Sequence, residues 1–178
     1  MWTSFIGFMA SGKSTVTRLL QTGTSRPHVC LDDLIAARTG LSIPEIFAQQ
    51  GEPEFRRHEL DALASLAADR HLVVDCGGGI VTTPAAVDLL RRRGVVMWLD
   101  APWETIRSRL LAADQASRPL VGGLGLPGLE NLYRRRRPLY AAAADFRLDG
   151  GSLDPSQVAR AAMLRGLLWQ RRREEEQR

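Results

Sequence analysis

Lysine is almost absent from this chain. Of its 24 basic residues, 23 are arginine and one is lysine, Lys13. Arginine and lysine differ in shape and chemistry, so a lone lysine in an arginine-using chain marks a place that requires one. Cysteine is scarce as well: Cys30 and Cys76 are the whole supply. Two cysteines make neither a zinc-ligand spacing nor a secreted disulfide framework, and a reducing, cytoplasmic setting is expected. No apolar run reaches the length of a membrane span. The N-terminal "MWTSFIGFMASGKST" lacks the basic start and long apolar segment of a signal peptide. No membrane partner is therefore expected.

What is present fits one domain over residues 1–178. A chain of this size buries roughly 70% of its unfolded surface and needs no disulfide to fold. The formal charge of +4 and a pI near 9.8 suit acidic partners such as nucleotides and small anions.

Short apolar runs alternate with helical patterns along the chain. "WTSFIGF", "HVCL", "HLVVDC", "VVMWLD" and "DFRLD" read as strands. Helical segments lie between them, with Gly40 and Gly94 as stops and Pro84 near a start. Helices are expected over "SIPEIFAQQG" and over "EPEFRRHELDALASLAADR", where Phe55, Leu60, Leu63 and Leu66 recur at helical spacing. Asp114 to Gly128, "DQASRPLVGGLGLPG", lacks periodicity and is expected to be a surface loop of the kind that forms lids. A helix follows over "LENLYRRRRPLYAAAA", bent near Pro138, and a last one ends in a charged, solvated stretch at 170–178. Five alternations of strand and helix predict an α/β fold, a parallel sheet covered on both faces. Ligands of such sheets bind at the carboxyl ends of the strands.

"GFMASGKS", Gly7 to Ser14, fits G-x-x-x-x-G-K-[ST] and sits between a strand and a helix. A loop of this pattern turns its backbone amides onto phosphate oxygens, and the next helix adds its positive end. Ala10, Ser11, Gly12, Lys13, Ser14 and Thr15 are the expected nucleotide-binding residues. Lys13 reaches the outer phosphates, and the Ser14 hydroxyl is placed for Mg²⁺. ATP and Mg²⁺ are the expected cofactors.

Six features in order resemble the shikimate kinase family: "GFMASGKST", "LDDLIAARTG", "IPEIFAQQGEPEFRRHE", "DCGGGIV", "SRPL" and "YRRRRPLY". The resemblance runs from Phe5 to about Arg160. It implies a three-layer phosphate-loop kinase fold with five parallel strands in the order 2-3-1-4-5. It places substrate-binding helices at about 32–68 and a mobile lid at about 112–127. The implied reaction moves the γ-phosphate of ATP to the 3-hydroxyl of shikimate, a step toward aromatic amino acids, in a monomer with no nucleic-acid partner. Asp32 matches the family acid that orients the attacking hydroxyl and accepts its proton; by the residues alone it reads equally as a helix N-cap. Asp33 reads as first-turn helix charge. Arg118 in "SRPL" matches a lid arginine over the transferring phosphate and joins Lys13 and Asp32 as a catalytic candidate. Arg56 and Arg136 match the arginines that bind the substrate carboxylate, work suited to a forked guanidinium. Glu59 matches the acid that orients the first of them. Gly77, Gly78 and Gly79 match a glycine run that lets a flat ring approach the backbone.

The chain departs from the pattern at Cys30, where the family carries a first aspartate that supports Mg²⁺. A neutral thiol is a poor ligand for a hard cation. Asp75 closes the strand "HLVVD", as acids do in other phosphate-loop proteins, and is the expected replacement beside Ser14. Three other readings stand beside this one. They are a related kinase with another acceptor such as a sugar acid, a non-catalytic binding protein on the same scaffold, and a nucleic-acid-binding ATPase. The last lacks an aromatic stacking platform among its arginines.

Overall fold

A computed structural model describes residues 1–24, 26–68, 70–112 and 119–176, with the backbone alone for 119–123. Strands β1 (Trp2–Ile6), β2 (His28–Cys30), β3 (Leu72–Asp75), β4 (Gly94–Asp100) and β5 (Phe146–Asp149) form one parallel sheet in the order β2-β3-β1-β4-β5. This is the order implied by the resemblance. Helices α1 (Lys13–Thr24), α2 (Leu31–Thr39), α3 (Ile43–Ala64), α4 (Pro84–Arg93), α5 (Trp103–Ala112), α6 (Pro119–Ala143) and α7 (Pro155–Glu176) cover its faces. Among the described residues no helix is long and apolar enough to cross a membrane.

β1 and β4 are buried along their whole length, which is why they read as unbroken apolar runs. Period-two alternation sends their side chains to two cores. Trp2, Ile6, Val96 and Trp98 join the larger one, under α2, α3, α4 and α6. Phe5, Val95, Met97 and Leu99 join the smaller one, with Val16 and Leu20 of α1 and Val158 and Ala162 of α7. At the start of β4 the backbone of Gly94 lies so close to β1 that a Cβ would stand 2.0 Å from the Trp2 carbonyl oxygen.

Two helices differ from the sequence expectation. The two segments expected from Ser42 to Arg70 are joined as α3, which ends at Ala64 and is broken at Gly51 (φ 79°, ψ 173°). Ser42 starts α3 with a capping box, its hydroxyl accepting from the Glu45 amide and the Glu45 carboxylate accepting from the Ser42 amide. The stretch expected as a loop through Gly128 is helical from Pro119 onward, with its break at Gly125 (φ 61°). Proline suits a first helical turn, so Pro119 opens α6 and Gly125 supplies the left-handed turn inside it. Residues 113–118, which hold part of the expected lid and Arg118, lie outside the described residues.

Candidate active site

The glycine-rich turn after β1 is shaped by backbone rather than side chains. Gly7 (φ 147°) and Gly12 (φ 100°) hold conformations that favour glycine, and Ala10 is the one non-glycine residue at positive φ (58°) among the described residues. A Cβ on Gly7 would stand 2.5 Å from the Leu99 carbonyl oxygen, so β4 passes directly behind the turn. Lys13 opens α1 and folds back, its Nζ donating to the Gly7 and Phe8 carbonyls at 2.9 and 3.1 Å. Arg109 of α5 braces the turn from the other side, donating to the Ala10, Ser11 and Gly150 carbonyls at 3.2, 3.0 and 3.0 Å.

Two cavities meet at this turn. One, of about 360 Å³, is lined by residues 10–16 with Leu99, Arg109, Gly150, Leu153, Pro155 and Val158. Its floor includes the N-terminus of α1, which suits an anion. The other, of about 350 Å³, carries Cys30, Asp32, Arg56, Glu59, Asp75, the glycines 77–79 and Arg136, with Ile43, Phe47 and Phe55 as an apolar wall. Ala10, Lys13 and Ser14 belong to both. The lysine and the serine hydroxyl therefore stand where contents of the first cavity face contents of the second.

The second cavity is built around two arginines, Arg136 buried and Arg56 half-buried. Arg56 bonds Glu59 through Nη1 and Glu52 through Nη2, the latter at 2.7 Å. Arg136 points its Nη1 at the Gly78 carbonyl, 3.5 Å away, while its buried Nε has no partner. Tyr140 donates to the same carbonyl and fixes the glycine run. All three glycines line the cavity, but two of their Cβ directions are filled by this chain's own side chains rather than left for a ligand. A Cβ on Gly79 would lie 2.0 Å from Arg56 Nη2. One on Gly77 would lie 2.5 Å from Glu59 Oε1 and 3.1 Å from Asp32 Oδ1.

Asp32 is not the N-cap of α2; that position is held by Cys30, which makes no side-chain cap bond. Asp32 sits in the first turn with a buried Oδ1 that lacks a partner, and Asp33 beside it is exposed. Burial raises the carboxyl pKa of Asp32, against the pull of Lys13. Glu59 is fully buried, and burial outweighs its ion pair with Arg56, pushing its carboxyl up to about 7. Cys30 is pushed up to about 11 by burial, with the nearby Asp75, Asp33 and Asp32 adding to the rise, so the thiol is neutral at physiological pH.

Asp75 occupies the place that matters for Cys30. The two are Cα partners across β2 and β3, at the carboxyl edge of the sheet. Asp75 is 4% exposed, and its Oδ2 is buried without a partner while lining the same cavity as the exposed Ser14. A carboxylate and a hydroxyl are hard oxygen donors, so these residues fit Mg²⁺. The structure thus brings together every described site residue expected from the sequence. It adds Glu52 and the apolar wall, which sequence reasoning missed, and Arg109, which the loose family match around it left unassigned. Arg109 had a signal, an arginine at the end of a predicted helix, but its ties to residues 10, 11 and 150 are purely tertiary.

Comparison with known proteins agrees with this geometry. The shikimate kinase family model matches residues 9–165. A shikimate kinase of Symbiobacterium thermophilum is 42% identical over 144 residues, covering 80% of this chain and 83% of its own. That of Aquifex aeolicus is 35% identical over 159 residues, covering 89% and 92%. Among solved structures, shikimate kinase from Acinetobacter baumannii in complex with shikimate superposes with a TM-score of 0.83 at 30% identity, over 91% of this chain and 90% of that one. A sugar kinase from Janibacter, 21% identical with a TM-score of 0.61, shares the fold alone. With a family model spanning most of its length and relatives matched nearly end to end, this chain belongs to the shikimate kinase family.

Proposed function

We infer that this chain is an ATP-dependent kinase that phosphorylates the 3-hydroxyl of shikimate. The observation that carries the reading is the shared wall of Lys13 and Ser14 between the cavity at the glycine-rich turn and the cavity that holds Arg56 and Arg136. The turn at residues 10–15 and the N-terminus of α1 hold the phosphates. Arg56 and Arg136 take the carboxylate of the acceptor as paired, charge-assisted bonds. Asp32, with its unpartnered oxygen, aligns the acceptor hydroxyl and receives its proton. In the step, the acceptor oxygen bonds to the γ-phosphorus, the bond from that phosphorus to the bridging oxygen of ADP breaks, and Lys13 stabilises the charge on the transferring group. Such transfers rest on positioning and charge stabilisation.

Ser14 and Asp75 would hold Mg²⁺, which when bound neutralises charge on the phosphate oxygens. All of these residues come from one chain. Both cysteines are free thiols, which goes with a reducing, cytoplasmic setting.

The test is ADP release from Mg·ATP with and without shikimate. Strong stimulation by shikimate, with shikimate 3-phosphate as product, is the expected result. ATP binding without any stimulation by shikimate overturns the acceptor assignment.

A further inference from the structure

The proposed reaction leaves Glu59 unused, although it is the most deeply buried acid of the second cavity. Its two oxygens have different surroundings. Oε2 accepts from Arg56 Nη1, while Oε1 is buried without a partner. Asp32 Oδ1 is in the same condition. These two oxygens come from different helices, α3 and α2, and converge on one point. A Cβ on Gly77 would stand 2.5 Å from the first and 3.1 Å from the second. Less than about 6 Å therefore separates them, a gap that a hydrogen bond or one bridging water spans.

Two ionised carboxylates facing each other in a buried space repel, and each keeps an oxygen without a donor. One proton between them removes both costs. The neighbours decide which acid carries it. Around Glu59 stand Arg56 on its own helix, Arg136 and Tyr140 on α6, and Cys76 after β3. Around Asp32 stand Lys13 on α1, Arg56, Asp33 beside it and Asp75 at the end of β3. Burial pushes Cys76 and Tyr140 up, so both stay neutral. The arginines favour an ionised Glu59, and Lys13 favours an ionised Asp32. Burial breaks the tie. Glu59 has no exposed surface, whereas Asp32 is only half-buried, so ionising Asp32 costs less.

We propose that Glu59 is a positioning residue for the base, a neutral carboxylic acid whose Oε1 donates its proton in a hydrogen bond toward Asp32 Oδ1. The inference rests on the proposed reaction, in which Asp32 receives the proton of the acceptor hydroxyl. A carboxylate oxygen has two lone pairs. Oδ1 takes the Glu59 hydrogen bond on one and keeps the other for the acceptor. In the transfer step the hydroxyl proton moves to the Asp32 carboxylate, and Glu59 keeps its own. Glu59 Oε2 goes on accepting from Arg56, so a single acid ties the base to an arginine of the acceptor's carboxylate. Other buried sites also keep an acid neutral so that it can donate.

Carbon-13 NMR titration of the side-chain carboxyls in the ligand-free chain tests this without turnover. In the native chain Glu59 should take up its proton first, near its raised value of about 7, with Asp32 ionised down to lower pH. Asp32→Asn removes the like charge and should lower the Glu59 midpoint by about one pH unit or more. Glu59→Gln puts an amide N–H where the acid O–H was, so the Asp32 midpoint should stay at its native value. The rate gives a readout that a purely structural role would not move. Once Glu59 ionises, it repels Asp32 instead of holding it. The native kcat, at saturating ATP and shikimate, should therefore fall as pH rises through the Glu59 midpoint, and Glu59→Gln should lose that fall. A Glu59 midpoint in the usual carboxyl range overturns the proposal. So does a midpoint that Asp32→Asn leaves in place, a first proton that goes to Asp32, or a fall in kcat that persists in Glu59→Gln. If shikimate fails to stimulate ADP release while both carboxyls titrate as expected, the acceptor assignment fails and the proton placement stands.

Discussion

At the scale of single residues, glycine in this site makes room for charge. Gly79 is pressed against the Arg56 guanidinium, and Gly77 against Glu59 and Asp32. Gly79→Ala therefore displaces Arg56 without opening a cavity. The KM for shikimate should rise by about tenfold or more, since small misplacements of a positioning group cost that much. The KM for ATP should change little, and steady-state kinetics with each substrate varied in turn checks both. The Cys30–Asp75 pair gives a second prediction. Asp75→Asn should raise the Mg²⁺ needed for half-maximal activity about tenfold or more, in the range seen when a metal-supporting group is removed. It should also weaken Mn²⁺ binding to the enzyme–ADP complex, read by electron paramagnetic resonance. Cys30→Asp added to Asp75→Asn should recover both. An unchanged metal dependence in Asp75→Asn would remove the metal role from that residue. Lys13 was legible in the sequence because it is alone in its residue type. Arg56, Arg136 and Asp32 were legible through resemblance. The reason for the glycines was not, because it depends on which side chains fold over them from α2 and α3.

At the scale of elements, α3 carries Arg56, Glu59 and Phe55 of the second cavity on its second half, and Ile43 and Phe47 of the apolar wall on its first. Gly51 sits in a backbone region that only glycine occupies readily. Gly51→Ala should cost ~1–3 kcal/mol in urea unfolding. It should also re-aim the half-helix that bears Arg56 and Glu59, so the KM for shikimate rises with the loss of stability. Ser42→Ala removes the cap of the first half at a cost of about 1 kcal/mol and should leave that KM unchanged. The contrast between the two variants separates a hinge effect from simple loosening. Both halves of α3 were visible as helical periods, and the glycine between them marked the break. The first turns of α6 were not visible, because glycine and proline in Pro119–Gly128 carry no apolar period. There the tertiary context decides.

At the scale of the whole molecule, alternation of strand and helix predicted the parallel sheet, and the family resemblance supplied the strand order. The order brings the ends of β1, β2 and β3 side by side and gathers turn, acid and arginines from distant parts of the chain. The buried cluster has a pH signature. Glu59 holds its proton up to about pH 7 in the folded chain, against a usual value of 4.5. Between those values the folded state binds a proton that the unfolded state has released, so the contribution of Glu59 to stability falls as pH rises. Glu59→Gln has no such proton. The stability of the native chain relative to this variant should therefore decline from pH 5 to pH 8, by up to about 3 kcal/mol. Urea midpoints across that range measure it. A constant difference between the two would show that Glu59 titrates normally.

The register between β2 and β3 has one more consequence. Cys30 and Asp75 face each other across a single strand spacing, roughly 5 Å. Two carboxylates there would repel at close range, so the two positions behave as a mutually exclusive pair. An acid belongs at one of them and a neutral group at the other. Cys30→Asp alone, with Asp75 retained, should then impair the enzyme rather than improve it. On this view the thiol is no lost ligand; it is the neutral neighbour that a carboxylate at the end of β3 requires.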